Sequence, residues 1–320
     1  MQNSPTAQCP LCPHQCRLSA GGRGNCGARV NRGGKIVSLT YGQICSLAVD
    51  PIEKKPLYHF YPGEKILSLG AWGCNLHCEF CQNWDISQQE APAQNLSPAQ
   101  AVALARRENV KMLAYTYNEP YVNFEYVCDC CAAARDAGLR NVLVTNGYYL
   151  PAPAEKLLAL TDALNIDLKA FADDFYRRVC GGTLAPVLAT IEQALRKNCH
   201  VEITTLLIDG ENDAPAMLAR EAEWLARYGG ANLPTHLSAY FPRYRFTAPA
   251  TTAANLQRAR EIFAARLTHV YLGNLGGEQN TYCPHCQNLL VRRRGYQTAV
   301  VGLAAGACAR CRAPSGIVTA

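Results

Sequence analysis

The segment between residues 65 and 272 alternates regularly between short apolar strands and amphipathic helices, and this pattern constrains the fold most strongly. One predicted helix has a marked start, because Ser97 suits the N-cap and Pro98 the first helical position. The next ends at Gly138, a residue typical of helix C-termini. Strands that alternate with helices at this spacing predict a parallel sheet built from βαβ units. The predicted strands are 65–71, 110–117, 141–145, 163–168, 200–207, 235–240 and 269–272.

Six or seven such units are enough for a partial or full (β/α) barrel, and the sequence therefore predicts an α/β fold of the TIM-like type. A doubly wound sheet is the alternative, because the order of elements along the chain is the same in both folds. Either fold binds its ligand at the carboxyl ends of the strands. Polar residues that end or follow the predicted strands are therefore candidates for the functional site.

Cysteine is unusually frequent, with 17 residues in a chain of 320. Small secreted proteins use disulfides in place of a core, whereas a chain of this length that is 49% hydrophobic can bury a core of its own. Residues 1–16 contain no lysine, arginine or long apolar run, and the apolar stretch 298–309 is too short to span a bilayer. We therefore expect a cytoplasmic protein, not associated with a membrane, whose cysteines bind metal.

The cysteines also divide the chain into parts. We predict an N-terminal cysteine-rich module over residues 1–48, a barrel over 49–275 and a C-terminal zinc-ribbon-like module over 276–320. The groups are Cys9, Cys12, Cys16 and Cys26 near the start, Cys74, Cys78 and Cys81 in the middle, and Cys283, Cys286, Cys308 and Cys311 near the end.

The middle group has the spacing Cys74-x3-Cys78-x2-Cys81, directly after the first predicted barrel strand. A [4Fe–4S] cluster has four irons, so three thiolates on one loop leave one iron without a protein ligand, as in catalytic metal sites that keep a position open. A structural zinc ion with His77 as the fourth ligand is the alternative.

Three longer stretches near this motif carry a family resemblance: Asp50–Phe60, Cys81–Trp84 and Tyr117–Pro120. Together with the cysteine motif, they resemble the AmmeMemoRadiSam-system radical S-adenosylmethionine (SAM) enzymes, which are relatives of the pyruvate formate-lyase activating enzymes. The resemblance extends from about Cys9 to Cys311.

This resemblance implies an oxidoreductase that binds a [4Fe–4S] cluster and SAM. In such enzymes SAM chelates the open iron, one electron cleaves its C5′–S bond, and the 5′-deoxyadenosyl radical abstracts hydrogen from the substrate. An activase-like enzyme of this kind acts on a protein or peptide. The resemblance also implies a one-electron donor such as flavodoxin or ferredoxin, and a Memo-like or AMMECR-like protein as a partner.

The resemblance further indicates where SAM binds, because polar residues end or follow the later strands. Glu119 and Asn118 stand where the superfamily usually carries Gly-Gly-Glu, and Asp167 and Lys169 resemble an Asp-Leu-Lys stretch of the activating enzymes. The predicted SAM-binding residues are Asn118, Glu119, Asn146, Asp167, Lys169, Thr204 and His236. Glu202 shares a strand face with Thr204, and Asn274 follows the last strand. Ordinary strand ends and turns are the alternative interpretation for these positions, as is a structural histidine for His236.

The two terminal cysteine groups differ in spacing. Cys283-x2-Cys286 and Cys308-x2-Cys311 form two knuckles, which predict a structural zinc ion with four thiolates, or a rubredoxin-like iron. The N-terminal group, Cys9-x2-Cys12-x3-Cys16-x9-Cys26, predicts zinc or a second iron–sulfur cluster, with His14 as a further candidate ligand.

Two other functions are compatible with the sequence. The net charge of +6 and the run Arg292–Arg294 allow an RNA- or small-molecule-modifying enzyme that holds its substrate on the C-terminal module, so nucleic acid is not excluded as a partner. A zinc-ribbon binding or assembly protein with an inactive barrel is the second alternative, and the intact Cys74, Cys78 and Cys81 argue against it.

Overall fold

The computed structural model describes residues 5–197 and 199–319 and has one large sheet at its centre. Its eight strands lie side by side in the order of the sequence, and neighbouring strands are parallel except at one edge, where β1 runs antiparallel to β2. The strands are β1 Ser46–Pro51, β2 Lys65–Gly70, β3 Met112–Tyr115, β4 Arg140–Thr145, β5 Ala163–Asp167, β6 His200–Leu207, β7 Thr235–Ala239 and β8 Val270–Gly273.

Among the described residues, six helices of eight or more residues connect these strands and form a single layer, in which each helix contacts the next one along the chain. They are α1 Pro98–Arg107, α2 Phe124–Asp136, α3 Pro151–Leu158, α4 Leu184–Arg196, α5 Pro215–Gly229 and α6 Ala253–Ala264. A doubly wound sheet reverses its strand order partway and has helices on both faces. The sequential order seen here excludes that alternative and confirms the predicted α/β fold as a partial (β/α) barrel, with β1 and β8 as its edges.

The local signals read from the sequence correspond to these elements. Ser97 caps α1 with a complete capping box, in which its side chain accepts from the Gln100 N–H and the Gln100 side chain accepts from the Ser97 N–H. Gly138 follows α2 with a φ of 77°, as a helix-ending glycine does. Strand β1 was not predicted, and it crosses the predicted boundary between residues 48 and 49.

The two faces of the sheet bury different residues. On β3, Leu113 and Tyr115 pack in the large cluster shared with the helices, whereas Met112 and Ala114 face the concave side. The segment that follows β1 fills part of this concave side, because Ile52, Leu57, Phe60 and Tyr61 pack against Ile66, Met112 and Ala114 in one buried cluster. We call residues 52–61 the plug.

A buried carboxylate attaches the plug to the barrel. The N–H groups of Tyr58 and His59 donate to Glu202 at 2.9 and 2.7 Å, and the Nε2 atoms of His200 and His236 lie 2.9 and 2.7 Å from the same carboxylate. Burial by itself raises the pKa of Glu202, but the hydrogen bonds from the two histidines outweigh it and hold the pKa well below its usual range. Glu202 is therefore a structural anion at the amino-terminal end of β6.

Two further histidines, one in the plug and one beside it, make the stability of the fold depend on pH. Burial holds the pKa of His59 well below its usual value and lowers the pKa of His269 to about 4. In the unfolded chain both groups bind a proton below about pH 6.5, while the folded protein excludes it, so the unfolded state gains stability as the pH falls.

We therefore predict that the free energy of unfolding falls as the pH drops from 7.5 to 5, by up to about 1.4 kcal/mol per pH unit for each group below pH 6.5. Glu202 contributes nothing to this slope, because its stabilisation is complete above its unfolded pKa of about 4.3 and is lost only in stronger acid. Thermal unfolding at several pH values measures the slope, and His269→Asn should reduce it. An equal slope in that variant would contradict the assignment.

The C-terminal module packs against the plug. It contains a three-stranded sheet and a short hairpin, formed by Thr281–Tyr282, Leu289–Arg294 and Gln297–Val300, and by Leu303–Ala304 and Ala307–Cys308. The Tyr61 N–H donates to the Val318 carbonyl at 2.7 Å, and the Arg293 guanidinium hydrogen-bonds to the Tyr58 carbonyl. In the described residues no helix is both long and apolar enough to cross a membrane.

Candidate active site and metal centres

A cavity of about 520 Å³ opens at the carboxyl ends of the barrel strands. Its size is in the range of sites for ligands as large as a nucleoside. Cys74, Cys78 and Cys81 line it, and so do six of the seven predicted SAM-binding residues. The six are Asn118, Glu119, Asn146, Asp167, Lys169 and Thr204.

The loop after β2 carries the three cysteines and is fixed by backbone contacts. The His77 N–H donates to the Cys180 carbonyl at 2.7 Å, and the Glu79 N–H donates to the Val179 carbonyl at 3.0 Å. Both acceptors lie in a π-helical turn, Tyr176–Cys180, a distortion frequently found at functional sites. The Leu76 N–H lies 3.4 Å from Cys74 Sγ, an N–H to sulfur contact of the kind that tunes iron–sulfur clusters.

The spacing of these three thiols tests which metal group they fit. Among residues 5–197 and 199–319, the C-terminal cysteines are the only group of three or more ligands whose donor atoms all lie within 4.8 Å of one another. Cys74, Cys78 and Cys81 are therefore too spread for one ion. His77, the alternative zinc ligand, is exposed and its Nδ1 lies 2.7 Å from Gln88 Oε1. In a [4Fe–4S] cluster each thiolate binds a different iron. Thiols this far apart therefore fit such a cluster better than a single zinc ion.

Asn118, Glu119 and Asn146 hold the site together. Asn118 accepts from the Ala71 N–H at 3.1 Å and donates to the Gly73 carbonyl at 2.9 Å, so it joins the end of β3 to the cysteine loop. Asn146 Nδ2 lies 2.8 Å from Asn75 Oδ1 and 3.5 Å from Cys74 Sγ.

Glu119 is buried, and protein donors surround its carboxylate. These donors are the side chains of Thr145 and Tyr149 and the N–H groups of Asn146 and Tyr121, at 2.8 to 3.1 Å. Burial outweighs these bonds and raises the pKa of Glu119 to about 7. The contact of Glu119 with the SAM amino group stays a prediction. In the structure this carboxylate joins the ends of β3 and β4.

Another part of the cavity wall, formed by the ends of β5 and β6, is polar. Lys169 Nζ lies 2.6 Å from Asp167 Oδ2, and the Thr204 hydroxyl donates to Asn165 Oδ1 at 2.9 Å. Burial lowers the pKa of Lys169, but the Asp167 and Cys78 charges outweigh it and hold the pKa above its usual range. A permanent cation therefore stands beside the cysteine motif, and Asn274 also reaches the cavity from the end of β8.

The structure does not bring His236 to this cavity. His236 lies near the amino-terminal end of β7, is 2% exposed and bonds to Glu202 in the cluster beneath the plug. It shares the concave face of its strand with Ser238, which does reach the cavity, but it lies one side-chain layer deeper. The alternation of residues along a strand shows which face of the sheet a side chain lies on, but not how deep in the barrel it lies.

Several cavity residues were not predicted. Lys54 and Lys55 follow β1 and line the cavity, and both bind the buried Asp50, at 2.9 and 2.7 Å. The Tyr117 hydroxyl donates to the same carboxylate, and Tyr117 has a φ of 73°, a strained value for a non-glycine residue. The signal was present, because the resemblance to known enzymes rested partly on residues 50–60 and 117–120.

A fourth cysteine lies next to the cysteine loop. The Cys180 carbonyl accepts the His77 N–H at 2.7 Å, so Cys180 is held against the residue before Cys78. Cys180 is about a hundred residues from Cys78 in the sequence, so the sequence did not predict that the two residues lie close together.

The C-terminal thiols form a compact set. Cys283 and Cys311 Sγ lie 3.6 Å apart, as do Cys286 and Cys308 Sγ. A tetrahedral zinc ion with Zn–S bonds of about 2.3 Å separates its sulfurs by about 3.8 Å. The geometry therefore fits one tetrahedral ion.

The structure corrects the interpretation of Arg292–Arg294 as one basic patch. Arg293 is fully buried, its Nη1 donates to Thr281 Oγ1 at 2.6 Å, and its Nε lies 3.8 Å from Glu53 Oε1. Strand alternation leaves only Arg292 and Arg294 exposed. The run therefore cannot act as a continuous surface for RNA.

The N-terminal thiols are arranged differently. Cys9, Cys12, Cys16 and Cys26 all line a small cavity between the N-terminal module and the barrel. His14, the further candidate ligand, does not line it, and its Nε2 lies 2.8 Å from the Asn75 carbonyl oxygen.

Comparisons with known proteins agree with this site. The family model of the radical SAM superfamily matches residues 72–222, which include the cysteine loop and strands β3–β6. An uncharacterized protein of Methanocaldococcus jannaschii is 40% identical over 303 residues, 92% of this chain and 90% of that protein. Pyruvate formate-lyase 1-activating enzyme of Escherichia coli K12 is 26% identical over 177 residues, 51% of this chain and 71% of that enzyme. The chain belongs to the radical SAM superfamily.

Solved structures show the same fold. A radical SAM methyltransferase from Sphaerobacter thermophilus aligns with a TM-score of 0.52 and 17% identity, over 84% of this chain and 77% of that one. Streptococcus suis SuiB bound to S-adenosylmethionine aligns with a TM-score of 0.52 and 11% identity, over 67% of this chain and 50% of that one. These likenesses show the barrel and are too distant to indicate a substrate.

Proposed function

We propose that the protein is an activase-like radical SAM enzyme that cleaves SAM reductively and uses the 5′-deoxyadenosyl radical to abstract hydrogen from a protein or peptide. The observation that carries the proposal is the position of Cys74, Cys78 and Cys81 on the wall of a cavity large enough for SAM. A [4Fe–4S] cluster held there by these three thiolates would supply the electron for the cleavage.

The protein's own residues have defined parts in this proposal. Cys74, Cys78 and Cys81 hold the cluster, and Asn118, Glu119 and Asn146 keep their loop in place. Lys169 and Asp167 form a charged pair on the cavity wall, where Lys169 would complement the negative charge of a thiolate-bound cluster and a SAM carboxylate. The cavity walls would shield the radical from water and other hydrogen donors.

The activase-like part of the proposal rests on the relative that activates pyruvate formate-lyase, an enzyme whose substrate is itself a protein. We further propose membership of the AmmeMemoRadiSam system, with a Memo-like or AMMECR-like partner and flavodoxin or ferredoxin as donor. For the four C-terminal thiols we propose structural zinc, because their spacing fits a tetrahedral ion.

The test is an anaerobic assay for 5′-deoxyadenosine. After reconstitution with iron and sulfide, the dithionite-reduced protein with SAM should release 5′-deoxyadenosine, and C74A/C78A/C81A should release none, because it cannot hold the cluster. The matched control is Cys128→Ala, a half-buried thiol on α2 outside all three groups, which should keep the wild-type rate.

Two results would count against the proposal. If the reduced wild type carries its cluster and binds SAM but releases no 5′-deoxyadenosine, the barrel is not a SAM-cleaving enzyme by itself. If C74A/C78A/C81A releases as much as the wild type, another site is responsible.

A further inference from the structure

The N-terminal module contains a second set of metal ligands that the proposed reaction does not use. Cys9, Cys12, Cys16 and Cys26 come from different parts of the module and converge on one small cavity. Sequence spacing alone left zinc and an iron–sulfur cluster as alternatives there. The structure separates them by geometry.

The N-terminal thiols are spread more widely than a single ion requires. Of the residues that the structure describes, no three N-terminal thiols have sulfurs that all lie within 4.8 Å of one another, whereas the C-terminal four do. A zinc ion needs all four sulfurs about 3.8 Å apart. The N-terminal thiols instead surround a space, as do Cys74, Cys78 and Cys81. The same chain therefore shows both arrangements, one fitted to an ion and the other to a larger group.

The lining of the cavity is suited to an anionic group. Arg29 lines it and is 3% exposed, and its Nε has no hydrogen-bond partner in the described part of the chain. The Nη atoms of Arg29 bind the Glu125 carboxylate, which holds the guanidinium in place. The Asn25 N–H lies 3.4 Å from Cys16 Sγ, a contact like that of the Leu76 N–H with Cys74 Sγ.

We propose that Cys9, Cys12, Cys16 and Cys26 bind a second [4Fe–4S] cluster. Because four thiolates occupy all four irons, this cluster has no open position for SAM and acts as a one-electron carrier. In that transfer one cluster loses an electron as its partner gains it, and no bond or proton changes.

The position of this site supports such a role. Asn75, the residue after Cys74, lines the N-terminal cavity. Gly73, the residue before Cys74, adopts a φ of 95°, and a Cβ atom there would lie 2.8 Å from the Cys26 carbonyl oxygen. The N-terminal module thus contacts the cysteine loop on both sides of Cys74. The two thiol sites are therefore neighbours.

The experiment counts iron and acid-labile sulfide in the reconstituted full-length protein. We expect about eight sulfides per chain in the wild type, four for each cluster, and about four in C74A/C78A/C81A. That triple variant leaves the N-terminal thiols unchanged. Its sulfide content therefore reports on the N-terminal site without a substitution in the N-terminal module. Its remaining cluster should accept about one electron from dithionite, and its EPR signal should be unaffected by SAM.

The complementary variant is C9A/C12A/C16A/C26A, which should keep about four sulfides and an EPR signal that SAM changes. Four sulfides in the wild type together with two zinc ions, or a triple variant without sulfide, would overturn the proposal. Neither result depends on release of 5′-deoxyadenosine, so failure of the second cluster and failure of the proposed reaction are distinguishable.

Discussion

Replacement of Cys308 by serine is expected to release the metal of the C-terminal module and to unfold that module. Its described core is small, with Cys283, Leu290, Val291, Cys308 and Ile317 as the buried members, so two of five are proposed metal ligands. Domains of this size usually need a metal, and structural zinc contributes about 10–16 kcal/mol of apparent binding free energy in isolated zinc-finger peptides. No side chain in this core can replace that contribution.

The change should extend beyond the module, because Arg293 fills a buried position against the plug and Tyr296 reaches the main cavity. We therefore expect a loss of about one metal ion per chain, rapid proteolysis after the end of β8 and a lower unfolding midpoint for the barrel. Metal analysis and limited proteolysis measure these effects. Cys128→Ser, the same substitution at a thiol outside the metal sites, is the matched control. A Cys308→Ser protein that keeps its ion and its resistance to protease would refute the prediction.

Replacement of Glu202 by alanine is expected to destabilise the barrel by about 3–5 kcal/mol. The carboxylate is fully buried and faces four donors, the N–H groups of Tyr58 and His59 and the rings of His200 and His236. Alanine leaves all four without an acceptor and opens a cavity between the plug and β6. The plug would lose its hydrogen bonds to β6.

Urea unfolding followed by far-UV circular dichroism measures the effect. The control is Glu223→Ala, an exposed position on α5, which should change the unfolding free energy by less than about 0.5 kcal/mol. Glu202→Gln should recover only part of the loss, since an amide has one acceptor oxygen and directs its N–H groups at donors. If Glu202→Ala and Glu223→Ala are equally stable, the carboxylate does not anchor the plug.

Much of the fold could be predicted because its signals are local. Helix α1 begins at its predicted cap, and β6 has the predicted bounds, His200–Leu207. Capping, glycine preference and hydrophobic period depend on residues within a few positions of one another. Strand β1 was missed because it pairs antiparallel at the edge of the sheet, before the alternating pattern begins.

The candidate site was predicted in outline for a related reason. The spacing of Cys74, Cys78 and Cys81 is a property of one short loop, and residues that follow parallel strands must meet at one edge of the sheet. This rule placed Asp167, Lys169 and Asn274 at the cavity. It failed for His236, since the rule does not say how deep a residue lies along its strand.

The sequence by itself thus determined the order of strands and helices, the superfamily motif and the grouping of the cysteines. The tertiary structure decided between an open barrel and a doubly wound sheet, buried Arg293, surrounded Glu119 with donors and set Cys180 beside Cys78. It also distinguished the compact C-terminal thiols from the spread N-terminal ones. The physical reason is distance along the chain, because a metal site or buried charge depends on atoms that only packing brings within a few ångströms.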